Sequence, residues 1–271
     1  MICTLGDVLL DVIVALDGPV EEDTDTYGKT RVGTGGQAAN VAAWTVALGG
    51  AARLLARRAV DPVGELLTRD LERRGVEVCG PVSEGATGTV VSIAAPDGRR
   101  SMLTDRGVSL DFEPDAFDPA WLDGCEWLHV SAYSLVASPL RETALLAAQT
   151  ARASGTEISL DLASTGAFRP RAGIEQLRDA ARTLLPDLVF ANEAEAEEFG
   201  EIGAPTFVIK RGERGCTIRE DGESRDYDAV PAELVDSTGA GDAFAAGFLL
   251  CGPELGVSAA GRCVATMGAM P

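Results

Sequence analysis

Asp236-Ser237-Thr238-Gly239-Ala240-Gly241-Asp242-Ala243-Phe244-Ala245-Ala246-Gly247-Phe248 is a glycine turn that runs straight into an apolar helix with a carboxylate in its first turn. Gly239, Ala240 and Gly241 carry little or no side chain, so the chain can turn tightly there and offer backbone N–H groups to a ligand. From Ala243 to Leu250 the residues are small or apolar, interrupted only by Gly247, which predicts a buried helix starting near Gly241. Its unpaired amides and positive dipole end would face whatever lies over the glycines, an arrangement that favours phosphate. Asp242 lies in the same field, worth roughly 0.3–1 kcal/mol to its charged form, and is expected to be ionised at neutral pH. A carboxylate beside a phosphate cradle repels the ligand unless it accepts a proton from an attacking hydroxyl, a role worth on the order of 10²–10⁴-fold in rate. Read alone, Asp242 fits a helix-capping acid as well as it fits a base. With the glycine turn before it and Asp236 to Thr238 alongside, it reads as a general base.

Outward from this stretch the chain alternates short apolar runs with helical patterns. Ile2 to Leu10 reads as a buried first strand, and Gly35-Gly36 opens a helix from about Gln37 to Leu48. Arg53 to Ala59 reads as a strand and Val63 to Arg74 as a helix ending at Gly75. Trp127 to Val130, Glu157 to Leu162, Leu188 to Ala191 and Phe207 to Lys210 are further strands, with helices between the first three, notably Pro139 to Ala153. Thr87 to Ala95 and Arg100 to Thr104, separated by Pro96-Asp97-Gly98, form one predicted hairpin. Gly215 to Glu220 and Ser224 to Val230 form another. The pattern is that of an α/β protein: a doubly wound, mostly parallel sheet flanked by helices, in one domain over residues 1–271. Two early β excursions, about 12–34 and 84–108, are expected to pair into a small β lid.

Composition agrees. Of 271 residues, 46% are hydrophobic and only 5% aromatic, so the core must be aliphatic, the usual filling between helices and a parallel sheet. A net charge of −19 repels nucleic acid and anionic membrane and argues against both as partners. It repels a nucleotide too, so binding one needs local cations and a divalent metal. Asp7 and Asp11 interrupt the apolar amino terminus and argue against an export signal. The six cysteines show no paired spacing and read as reduced, buried residues of a cytoplasmic protein. His129, the one histidine, reads as a satisfied histidine at a strand end. Gly28-Lys29-Thr30 imitates the end of a Walker loop, but Asp23 stands where that motif needs its first glycine.

The segment Gly33-Thr34-Gly35-Gly36-Gln37-Ala38-Ala39-Asn40, with the alanine-rich helix ending Leu48-Gly49, forms a second motif far upstream of Asp236 to Phe248. Together, over nearly the whole length, they resemble the two signatures of the ribokinase-like, PfkB-type carbohydrate kinases. The resemblance implies Asp242 as catalytic base, with Gly239, Ala240 and Gly241 as the anion hole. It implies that Asp11, Gly36 and Asn40 meet the hydroxyls of the substrate, and Arg106, at the end of the second excursion, is a further candidate for the substrate or a phosphate. Asn192 and Glu195 match the family's Asn-x-x-Glu element, which positions magnesium and phosphates, Glu195 acting through water. Lys210 to Gly215 occupies the place of the Gly-x-x-Gly nucleotide loop, with Gly212 and Gly215 as its glycines, and supplies positive charge. Asp236 and Thr238 would form part of a monovalent-cation (K⁺) loop, whose remainder follows the last helix in the family. This sequence reaches Pro271, so that site is expected to be incomplete.

The expected activity is an ATP- and Mg²⁺-dependent kinase acting on a hydroxymethyl group of a sugar or sugar-like alcohol. A nucleoside kinase is the first alternative, disfavoured because the lid segments offer little aromatic lining beyond Tyr27. A catalytically silent sugar-binding regulator is the second, disfavoured by Asp242 and its glycine turn. Exposed lid strands suggest a homodimer through the lid.

Overall fold

A computed structural model of the chain describes residues 1–95, 100–163, 173–200 and 202–271. Its main sheet has nine strands. In spatial order they are β15 (Glu223–Tyr227), β14 (Cys216–Glu220), β13 (Thr206–Lys210), β12 (Leu188–Asn192), β11 (Glu157–Asp161), β10 (Trp127–Ser131), β1 (Ile2–Leu5), β4 (Ala52–Leu55) and β6 (Glu77–Cys79). All neighbours pair in parallel except the β13–β14 and β14–β15 hairpin ladders at one edge.

Alternation along these short apolar strands feeds two helical layers. Cys3, Leu5, Leu128, Val130, Ile158, Leu160 and Val189 pack with Ala144, Ala147 and Ala151 of α3 (Leu140–Ala153) and Leu177 and Ala181 of α4 (Gly173–Leu184). The other face, with Ile2, Leu188, Phe190 and Val208, packs on Val41 and Trp44 of α1 (Gln37–Ala47) and Ala243, Phe244 and Ala246 of α6 (Ala240–Cys251). The Phe190 ring meets Phe244 and Phe248 edge-on at 6.0 and 5.3 Å, which anchors α6 to the strand beneath it. α2 (Pro62–Arg73), α5 (Glu193–Phe199) and α7 (Pro253–Val264) complete the helices of the described residues. None of these is long and apolar enough to cross a membrane.

The apolar run expected as one strand from Ile2 to Leu10 hides a change of sheet. β1 ends at Leu5, and β2 (Leu9–Leu16) leaves for a second, four-stranded sheet in the order β3 (Gly28–Gly35), β2, β8 (Thr87–Ala94), β9 (Arg100–Gly107). β2 pairs with β8 in parallel from Leu9 with Gly88 to Ala15 with Ala94, so the two excursions share one sheet. The expected turn Pro96-Asp97-Gly98 lies outside the described residues. Arg53 to Ala59 also divides, into β4 and the short β5 (Arg58–Ala59), which pairs with β7 (Val82–Ser83).

Two expectations need correction. Cys3 and Cys125 are joined as a disulfide, with Cα atoms 5.9 Å apart, so the cysteines are not all reduced. Spacing could not show this pairing: 122 residues separate the two, and only the adjacency of β1 and β10 brings them together. Cys251, expected to be buried, is exposed. His129 lies within β10, fully buried, and only its Nδ1 is bonded, to Ser159 Oγ at 2.9 Å. Its Nε2 has no partner among the described residues, so it is half satisfied, and burial lowers its pKa to about 4, which keeps it neutral.

Candidate active site

Gly239 caps α6 with φ 78°, in the left-handed region, and a Cβ there would lie 2.6 Å from the Cα of Ala269. The segment after α7 is itself held down, because Trp44 Nε1 donates to the Ala269 carbonyl at 2.8 Å. Asp236 is almost fully buried. Its Oδ1 accepts from the amide (3.0 Å) and hydroxyl (2.8 Å) of Thr238, and its Oδ2 from the amide of Gly268 (3.0 Å). These bonds brace the turn from below. The Ala240 amide donates to the Ser237 carbonyl at 3.3 Å, which takes it out of the expected anion hole. Among the described residues, the amides of Gly241 and Asp242 in the first turn of α6 find no backbone acceptor outside the helix.

A cavity of about 250 Å³ opens between this turn, at the carboxyl edge of the main sheet, and the second sheet. Of the residues singled out in the sequence, Asp11, Gly36, Asn40, Arg106, Glu195, Lys210, Thr238, Gly239 and Asp242 line it. Ala240, Gly241, Asp236, Asn192, Gly212 and Gly215 do not. Convergence at this edge follows from topology, because parallel strands deliver their ends, and the loops after them, to one crevice.

Asn40 does not simply face the cavity. Its Nδ2 donates to Asp242 Oδ2 at 2.7 Å, tying α1 to α6 and leaving the other carboxylate oxygen for a ligand. The pKa of Asp242 is raised to about 7, chiefly by burial; Asp161 and Asp7 add to the rise, while the Asn40 hydrogen bond and Lys210 oppose it. This corrects the expectation of an ordinary ionised acid. The helix field is worth under about 1 kcal/mol, whereas one pKa unit is about 1.4 kcal/mol, so burial among other carboxyls wins.

At the opposite end Asp11, on β2, is raised to about 6 by burial, then by Asp7 and Asp236. Asp7 and Tyr133 were not singled out as site residues. Asp7 is buried and bonds the Arg106 guanidinium, which lies 3.9 Å over the Tyr133 ring. Arg106 thereby fastens β9 of the second sheet to the main body. Gly36, with φ 100°, keeps the start of α1 against this loop, since a Cβ there would sit 2.4 Å from the Asp7 carbonyl oxygen.

At the nucleotide end, Asn192 and Glu195 form a closed capping box on α5. The Glu195 carboxylate accepts from the Asn192 amide and Nδ2 at 2.8 and 2.7 Å, and Asn192 Oδ1 accepts from the Glu195 amide at 2.8 Å. Burial, then Asp161, raises Glu195 to about 7. Asp161, also missed, ends β11 and accepts from Lys210 Nζ at 2.6 Å. Burial works against the charge of Lys210, yet Asp161, Glu195 and Asp242 together raise its pKa above the ordinary lysine value. The rest of the expected cationic loop is engaged elsewhere, Arg211 with Asp226 at 3.3 Å and Arg214 with Glu193 at 2.5 Å. Only its first residue brings charge to the cavity.

No cluster of metal-ligating side chains is built among the described residues.

Residues 1–269 match the pfkB family carbohydrate kinase. The chain is 29% identical over 260 residues to the ATP-dependent ribose-1-phosphate kinase of Halopiger xanaduensis, covering 92% of this chain and 83% of that protein. It is 28% identical over 265 residues to a fructokinase of Escherichia coli, covering 90% and 82%. Its fold superimposes on the crystal structure of adenosine kinase from Sinorhizobium meliloti with a TM-score of 0.88, at 24% identity, over 100% of this chain and 95% of that one. Two motifs at one sheet edge, a braced amide turn with a carboxyl beside it, and a match along almost the whole length lead to one conclusion: the chain belongs to the pfkB family of carbohydrate kinases.

Proposed function

We propose that this protein transfers the γ-phosphoryl group of ATP to a hydroxymethyl group of a free sugar or sugar-like alcohol. The observation that carries this is Asp242, which lines the cavity, is held by Asn40 through one oxygen only, and stands in a helix turn whose amides find no backbone acceptor outside the helix among the described residues. Its free oxygen takes the proton of the attacking hydroxyl, and a pKa of about 7 suits a base working at neutral pH. The amides of Gly241 and Asp242 bind the oxygens of the transferring group. Magnesium, bound with the nucleotide and watched by Glu195 through water, would neutralise phosphate charge.

The acceptor end favours a neutral polyol. Asp7 Oδ1 and Asn40 Oδ1 are buried acceptors without partners among the described residues, and sugar hydroxyls are donors. Asp7 already pairs with Arg106, the one guanidinium that lines the cavity among the described residues, which leaves Asp11 as surplus negative charge against a phosphorylated acceptor. A nucleoside needs a face for its base. Tyr27 is 80% exposed and does not line the cavity, and Tyr133, which does, is covered by Arg106. The second sheet is the lid that excludes water from this transfer. Coupled ADP release over a panel of sugars, sugar phosphates and nucleosides tests the reading. Turnover confined to free sugars is expected; turnover only with nucleosides, or none at all, contradicts it.

A monovalent cation beside Asp236 and Thr238 belongs to the proposal, checked by turnover in potassium against sodium. So does a homodimer through the lid. Val32, Val12, Val91 and Leu103 stand in register across all four strands of the second sheet, alternating with the cavity-facing Asp11, Ile13, Val90 and Ser92. Val32 and Leu103 are exposed, so the outward row offers an apolar surface to a second copy.

A further inference from the structure

The amide turn and Asp242 explain where a phosphoryl group sits and where a proton goes. They do not explain what offsets the charge of that group in a cavity lined by five carboxyls, Asp7, Asp11, Asp161, Glu195 and Asp242. Arg106 is committed to Asp7 at the acceptor end, and Arg211 and Arg214 are paired away from the cavity. Lys210 is placed differently. It ends β13, next to Asn192 in the ladder, at the edge where α6 begins. A Cβ added to Gly241 would lie 3.2 Å from its Nζ and 3.9 Å from its Cδ and Cε, so the outer part of the side chain lies beside the amide turn, with the ammonium nearest to it. Asp161, 1% exposed, holds that ammonium at 2.6 Å.

The choice of side chain carries information. Lys29 and Lys210 are the only lysines among 23 Lys and Arg residues, so a chain that otherwise uses arginine has a lysine here. The space over Gly241 admits a linear stem with a compact ammonium, and a planar guanidinium fork is bulkier.

Resting on the kinase reading above, we infer that Lys210 is a catalytic residue whose ammonium swings from Asp161 onto the oxygens of the transferring phosphoryl group, and that Asp161 is the positioning residue that holds it until then. In the step itself the acceptor oxygen forms a bond to the γ-phosphorus. The bond from that phosphorus to the β–γ bridging oxygen breaks, its electron pair leaving with ADP. The hydroxyl proton passes to Asp242. Lys210 keeps its protons throughout and contributes charge and hydrogen bonds, strongest when charge spreads over the equatorial oxygens. This differs from a nucleotide-binding lysine, whose loss weakens ADP and leaves kcat largely intact.

The test uses the full chain and its best sugar from the panel. Lys210→Met is expected to lower kcat by about 10²–10³-fold, as loss of one preorganised donor does, while the ADP dissociation constant from calorimetry changes by under about threefold. Binding of ADP with aluminium fluoride, a mimic of the transferring group, is expected to weaken by more than about 30-fold. Asp161→Asn is expected to lower kcat about tenfold in the parent and not at all in the Lys210→Met background, since it acts through the lysine. The proposal is overturned by a kcat within about threefold of the parent, by a loss of ADP affinity that matches the loss in kcat/KM, or by additive effects of the two substitutions. If Lys210→Met does not fold, Lys210→Arg decides. A kcat loss of about tenfold or more at unchanged ADP affinity supports the proposal, and parental kcat overturns it. If the parent itself releases no ADP with any sugar, the kinase reading falls; if the parent turns over and Lys210→Met matches it, only the lysine is wrongly placed.

Discussion

The turn before α6 and the second sheet face each other across one cavity, and they are built in opposite ways. The turn stands on core: Ala243, Phe244, Ala245 and Ala246 behind it are buried, Asp236 ties it to Gly268, and Ala269 fills the space beside Gly239. The second sheet has half-buried β2 and β8, exposed Val32, Met102 and Leu103, and, among the described residues, one side-chain ion pair into the main body at its far strand, Arg106 with Asp7. Geometry needed for phosphoryl transfer, which tolerates little displacement, sits on the rigid side. On the proposed reading, acceptor recognition is shared: Asn40 belongs to the rigid side, while Asp11 on β2 and Arg106 on β9 belong to the second sheet. Chemistry and substrate identity are thus partly separable, and substitutions on the two sides should show it.

The largest effect is expected from Asp242→Asn, which removes the base and leaves the amides. Turnover should fall by about 10²–10⁴-fold with ADP affinity by calorimetry nearly unchanged. Next comes Arg106→Ala. Leaving buried Asp7 without its partner is expected to destabilise by about 3–5 kcal/mol, seen in chemical denaturation, and to raise KM for the sugar more than it lowers kcat. If instead Arg106→Ala lowers kcat as far as Asp242→Asn does, at unchanged KM, the division between the two sides fails.

Titration separates the sides as well. A base must be deprotonated, so kcat/KM is expected to rise with pH through about 7 and then level. Asn40→Ala removes a hydrogen bond that lowers the pKa of Asp242 and should move that midpoint upward. Stability runs the other way. Asp11, Glu195 and Asp242 have folded-state values raised to about 6, 7 and 7, so the protonated forms favour the native state. Their contribution is complete below the ordinary carboxylate range near 4 and is lost as pH climbs through about 7. Melting temperature should therefore fall between about pH 5 and pH 8, and Asp242→Asn should recover part of the loss at pH 8, about 2–4 °C for each kcal/mol. The smallest effect on catalysis is expected from Leu103→Asp on the outward face of the second sheet. It should convert a dimer to a monomer by light scattering and change kcat less than about twofold, in line with surface substitutions away from a site.

The same contrast explains what the sequence disclosed. The rigid side is local in sequence: glycines, base and apolar helix occupy consecutive positions, so the turn, Asp242 and the start of α6 were legible. Gly36 and Asn40 were legible through the second motif, and Asp11 only through the resemblance that the two motifs carry. Residues that reach the cavity from separate strand ends were not. Asp7 was noticed only as a charge unsuited to an export segment, and Asp161 only as part of an apolar strand, yet both are carboxylates in apolar runs at the edge where parallel strands deliver ligand groups. That signal could have found them. The ionisation of Asp242 was misread because the field of a helix terminus is visible in a local motif, whereas burial beside Asp161 and Asp7 depends on the assembled sheet. The disulfide was hidden for the same reason.

A structure with a non-transferable ATP analogue and the sugar identified from the panel tests the central claim most directly. The account predicts a γ-phosphoryl oxygen about 3 Å from the Gly241 or Asp242 amide, and the acceptor hydroxyl within hydrogen-bond reach, about 2.6–3.2 Å, of the Asp242 oxygen that Asn40 leaves free. A phosphoryl group bound away from this turn, or an acceptor hydroxyl that meets another base instead, would contradict it.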